Sequence, residues 1–136
     1  MPRIFVAVLF TISLASVAMA QDPVKVDAKH YTVEFENAQV RVLRIKYGAH
    51  EKSVMHRHPN SVAIFLTDSN ATFTFPKGDP QNIVSKAGET RFTPGGLHLP
   101  ENTGDQPFEV ILVELKSKAV KKVAKKPTTT ATTPKQ

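Results

Sequence analysis

The 136-residue chain contains no cysteine. That absence excludes thiol redox chemistry and a disulfide framework, and it limits any protein-held metal to nitrogen and oxygen ligands. Acidic residues are missing from positions 116–136, which carry seven lysines, whereas positions 21–115 set ten basic side chains against twelve acidic ones. The formal charge of +6 therefore belongs to the tail, and the slightly acidic remainder offers no basic face for nucleic acid. No nucleic-acid partner is expected. Positions 21–115 also lack a helical period, and they hold no nucleophile–base–acid spacing; Ser53 and Ser61 have no claim to one. The apolar run Ile4 to Leu14 is short of the roughly 20 residues that span a bilayer.

What is present divides the chain into three. Arg3, the apolar run after it and the small-x-small site Ala18-Met19-Ala20 read as a secretory signal over 1–20, predicting a mature start at Gln21 and export to the periplasm or the cell exterior. Positions 21–115 form one domain. From Lys116 the sequence turns to lysine and then to threonine, with too little apolar surface to offset ordering entropy. Residues 116–136 are read as a disordered, solvated tail, the alternative being weak attachment to an anionic envelope polymer or lipid.

Within the domain the apolar pattern has the period of strands. Tyr31 to Glu36 alternates, Val40 to Tyr47 is β-branched and aromatic with a break at Leu43 that suggests a bulge, and Lys52 to His58 leads into Pro59. Val62 to Leu66 is a continuous apolar run, expected to be covered on both faces at the centre of the core. Ala71 to Phe75, Asn82 to Lys86, Thr90 to Pro94 and Phe108 to Leu115 complete about eight or nine short strands. They are separated by turns at Thr67 to Asn70, Pro76 to Pro80 and Ala87 to Glu89, and by a loop from Leu99 to Pro107. An all-β sandwich or barrel follows, its topology left open by periodicity.

On a strand, His56 and His58 share one face while Arg57 takes the other, so two imidazoles look inward together. Two rings at that spacing reach one ion, and a third ligand from elsewhere closes the site. His98, after Gly95-Gly96, is the candidate. His50 is read as a loop residue, with a substitute ligand as the alternative, and His30 as a surface one; Asn60 and Glu101 are read as exposed loop groups, with polar pocket groups as the alternative. Phe65, Phe73, Phe75, Phe92 and Phe108 are read mostly as core, with an apolar cavity as the alternative.

These residues resemble a small single-domain cupin of the quercetin-dioxygenase-like superfamily. The first motif of that family appears as Gly48, seven residues, then His56-Arg57-His58, with a spacer two residues longer than usual. The second appears as Gly88, Pro94-Gly95-Gly96, His98 and Asn102, its histidine one position early. The resemblance covers Val40 to about Leu115. It implies a cupin-type jelly-roll β-barrel, the double-stranded β-helix, with a divalent metal held by His56, His58 and His98. The family's glutamate would fall at Val62 or Ala63, neither of which binds metal, so the site expected here has three histidines and no carboxylate.

Two functions from different classes follow. One is an exported metal-binding cupin acting as a dioxygenase-like oxidoreductase on a small oxygen-bearing substrate. The ion is iron, nickel, copper, zinc or manganese, among which the ligand type does not choose. The other is a non-catalytic module holding a small molecule or a structural metal. A third reading, an interaction protein held at the envelope by its tail, rests on composition alone. Homodimerisation is implied by the resemblance only.

Overall fold

The computed structural model describes residues 21–117, so the signal segment expected over 1–20 and the expected tail beyond Ser117 lie outside the described residues. A single helical turn, α1 (Pro23–Val26), precedes nine strands: β1 (Tyr31–Glu36), β2 (Val40–Tyr47), β3 (His56–His58), β4 (Ser61–Phe65), β5 (Ser69–Thr74), β6 (Gln81–Ser85), β7 (Thr90–Thr93), β8 (Gly96–Asn102) and β9 (Phe108–Leu115). α1 starts where the sequence gives Asp22 followed by Pro23. The Asp22 carboxylate accepts the amide of Val24 at 3.0 Å, and proline fits the first helical position because its missing N–H has no partner there.

The strands pair antiparallel in two sheets, a five-stranded one in the order β1-β2-β9-β4-β7 and a four-stranded one in the order β3-β8-β5-β6. The register fixes which side chains face inward, because directly opposed residues share a face. Across the larger sheet Leu43, Leu112, Ala63 and Arg91 form one inner row, and Arg41, Glu114, Ser61 and Thr93 form the next around β9. Across the smaller sheet His56 opposes His98, and Pro100, Phe73 and Gln81 align beside them.

Several expectations are met and several corrected. β1, β2 and β9 run over the residues that alternation predicted. The segment Lys52 to His58 is a strand only at its end, with Lys52 making an isolated bridge to Glu101. The predicted loop from Leu99 holds β8 as far as Asn102, an assignment that Gly96 and Pro100 obscured in the sequence. The bulge lies on β1, where Glu34 is the extra residue between Val33 and Phe35, while β2 pairs with β9 without a break.

The core is not centred on β4. It gathers Leu43, Ile45 and Tyr47 of β2, Phe108, Val110 and Leu112 of β9, and Tyr31, Ala63 and Ala71. Val62 and Ile64 stay half-buried because no second layer among the described residues covers the outer face of the larger sheet. Of the five phenylalanines read mostly as core, only Phe108 is buried. All five line a cavity of about 330 Å³ between the sheets.

Candidate metal centre

β3 and β8 are short neighbours in the smaller sheet, and their register brings the three histidines together. His56 lies opposite His98, and His58, two residues along, takes the same face. Each offers a nitrogen, and these three atoms lie within 4.8 Å of one another. The Nε2 atoms of His56 and His58 are 3.1 Å apart. Two nitrogens bonded to one ion at about 2.0–2.1 Å in a tetrahedral or octahedral arrangement stand about 2.8–3.4 Å apart, so this pair is already at ligating separation. Among the described residues this is the one cluster of three or more histidine or acidic side chains with that geometry.

Two of the rings are aimed from behind. His56, fully buried, has Nδ1 2.8 Å from the carbonyl of Val54 and 3.3 Å from Ser53 Oγ. His58 has Nδ1 2.6 Å from Glu114 Oε1. Both contacts are satisfied when Nδ1 carries the proton, which leaves each Nε2 lone pair toward the shared centre. Glu114 is buried and also receives Arg41 Nε on its second oxygen at 2.5 Å, while Arg41 Nη1 donates to Asp22 at 2.7 Å. Burial pushes the Glu114 carboxyl up, but hydrogen bonds from His58 and Arg41 outweigh it and hold the group below its ordinary value.

Two of the three rings are held neutral. Burial, and then the neighbouring His58, bring His56 down to about 4, and burial with both other imidazoles brings His98 down to about 3. A site of uncharged imidazole nitrogens, without thiolate and buried against Tyr31 and Phe73, fits a divalent transition metal and not a hard oxygen-seeking cation. His58 and His98 border the apolar cavity, so its contents meet the nitrogen cluster directly.

The other candidates fall elsewhere. His50 sits in a loop at φ 59° with its ring on Asp105, as expected of a loop residue. His30 is not a surface residue. It is buried, stacked on Tyr47 at 4.2 Å, with Nδ1 2.8 Å from Asp27 and Nε2 3.1 Å from Glu51. Asp27 in turn accepts the hydroxyl of Ser53, so the segment before β1 braces the residues that hold His56. Asn60 is exposed and accepts the amide of Gly95 at 2.7 Å, and Glu101 pairs with Lys52 away from the cavity. Gly95 packs so closely that a Cβ there would stand 3.0 Å from the backbone of Pro59 and Asn60.

Glu114 and Arg41 are functional residues that motif matching overlooks. Their signal was parity: Glu114 continues the inward series Phe108, Val110, Leu112, and Arg41 the inward series Leu43, Ile45, Tyr47. A charged residue at a buried position demands a partner.

Neither a protein-family model nor a curated protein matches the sequence. Solved structures do match. A cupin domain from Bordetella pertussis Tohama I superposes with a TM-score of 0.60 at 24% identity, covering 64% of this chain and 92% of that one. An RmlC-like cupin family protein from Methanocaldococcus jannaschii, described as a double-stranded β-helix, gives 0.51 at 22% identity over 65% and 83% of the two chains. A cupin superfamily protein from Desulfitobacterium hafniense DCB-2 gives 0.50 at 15% identity over 64% and 76%. With its two antiparallel sheets closed around an inward histidine cluster, the chain has the fold of a small single-domain cupin.

Proposed function

We propose that the protein is an exported cupin that holds one divalent metal on His56, His58 and His98 and receives a small oxygen-bearing molecule in the adjoining cavity, as a dioxygenase-like oxidoreductase. The observation that carries the reading is the ring geometry: two imidazoles fixed by Val54 and Glu114 present Nε2 atoms 3.1 Å apart, with His98 on β8 directly opposite His56. A bound divalent ion supplies a Lewis-acidic centre, and three protein ligands leave room for an oxygen donor. The protein's own contributions are definable. Glu114 and the Val54 carbonyl orient the rings, while the cavity's aromatic lining excludes water and selects by shape.

Export rests on the 1–20 segment and the homodimer on the family resemblance. Contact of the tail with anionic polymer rests on its lysines. Metal analysis of the purified protein after reconstitution tests the centre: about one ion per chain is expected, falling to a small fraction in His56→Ala and His98→Ala. Unchanged metal content in both variants rejects it. Substrate-dependent oxygen uptake by the iron-loaded form tests the reaction class.

A second reading has a specific observation behind it. Among the described residues no carboxylate lines the cavity, Glu114 is committed to His58 and Arg41, and the hydroxyls of Tyr31 and Tyr47 are committed to each other, so no free carboxylate stands beside the metal position. A non-catalytic module that binds a small molecule beside its metal fits that arrangement. Oxygen uptake separates the two.

A further inference from the structure

The cavity's polar groups are unevenly placed. His58 and His98 lie at one end; the aromatic walls follow; at the other end, where β6 and β7 form the open edges of the two sheets, Arg91, Thr93 and Gln81 face in. Arg91 belongs to the inner row Leu43–Leu112–Ala63–Arg91, whose other members are buried and apolar. A guanidinium has five N–H donors, and the single side-chain bond seen for this one is Nη2 to Glu89 at 2.5 Å. Its carbon lies 5.8 Å above the Phe65 ring, which also lines the cavity. β7 is two strands from β9, where Glu114 backs His58, and β6 is two strands from β8, which carries His98. Both steps place the cationic end about 10 Å from the histidine end.

We infer that the ligand of this cavity is an apolar, ring-sized monoanion, its charged group on Arg91 and its other end at the histidines. The inference rests on the small-molecule reading above but not on the metal. Arg91 is a specificity-determining residue in it, and Gln81 and Thr93 complete a polar mouth. The probes are 3-phenylpropionate and its uncharged amide, titrated calorimetrically into zinc-loaded and metal-stripped protein. The carboxylate is expected to bind about tenfold tighter than the amide in both forms, the weight of one charge-assisted contact at a half-exposed site. Arg91→Gln abolishes that preference with zinc content unchanged, and Arg91→Lys restores part of it. A preference that survives Arg91→Gln and vanishes on stripping puts the carboxylate on the metal and overturns the inference. Equal affinities, or no binding of either probe, overturn it too. Loss of zinc binding with the Arg91-dependent preference intact sinks the metal reading alone.

Discussion

Replacing Glu114 with glutamine removes one charge from a nearly isosteric side chain, and the structure says what two things must change. The carboxylate now accepts from His58 Nδ1 at 2.6 Å and from Arg41 Nε at 2.5 Å, one oxygen for each donor. An amide has one accepting oxygen, so in Glu114→Gln either His58 or Arg41 faces an NH₂ group, donor against donor. Glu114 is 3% exposed in its side chain and Arg41 17%, so water replaces little of the loss, although Asp22 still pairs with Arg41. Breaking a buried pair costs about 3–5 kcal/mol; the partial exposure of Arg41 and its second partner reduce this to about 2–3 kcal/mol. For a domain of this size that lowers Tm by roughly 10–20 °C.

Metal affinity should fall about 10–100-fold, the usual effect of removing the group that orients a ligating imidazole. Thermal unfolding in chelator reads the first effect and competition with a chromophoric chelator the second. The double variant Arg41→Leu/Glu114→Leu separates them. Apolar replacement of both charges restores most of the stability, whereas His58 Nδ1 still lacks its acceptor and affinity stays low. Tm within about 2 °C of wild type together with affinity within about threefold would refute the claim that Glu114 holds the site.

Metal-free protein should lose stability as pH falls. His56 and His98 have folded values near 4 and 3, below the ordinary imidazole value of about 6.5, so between those limits the unfolded chain binds protons that the folded one refuses. The loss begins near pH 6.5 and amounts to on the order of 4 kcal/mol by pH 5; denaturant midpoints in chelator at pH 7.5 and pH 5 that coincide would contradict it. Gly95→Ala places a methyl 3.0 Å from the Pro59–Asn60 backbone and should cost about 1–3 kcal/mol while displacing His58, read as a lower Tm and weaker metal binding. His30→Ala removes a stacked, buried ring and should destabilise by about 2–3 kcal/mol, against less than about 0.5 kcal/mol for a surface histidine.

Most strands were legible because their alternation reflects one-sided burial, as in Phe108 to Leu115. The three histidines were legible because β-strand parity and the glycine turn act locally. What escaped notice was either non-local or disguised. β8 contains a glycine and a proline, and its identity depends on β3 and β5 lying on either side. The interior position of His30 is set by Asp27, Glu51 and Tyr47, residues on three separate segments. The break in alternation near Leu43 was real but had another cause: Val40 and Val42 occupy an outer face that is apolar there, and Arg41 occupies an inner one.

The missing motif glutamate now has a physical reading. Val62 points to the outer face, and Ala63 points inward as a methyl in the cavity wall, so neither position brings charge to the histidines. The negative charge is instead supplied from β9, by Glu114, through the far nitrogen of His58. It holds the His58 ring from behind, and Arg41 shares it, so an ion held on the three imidazoles would keep most of its own positive charge. The same contact joins β3 of one sheet to β9 of the other, while Arg41 carries the linkage to β2 and Asp22. The groups that aim His58 are therefore also groups that tie the two sheets together. Single substitutions there must move stability and metal affinity in one direction, and only replacement of Arg41 and Glu114 together can pull them apart.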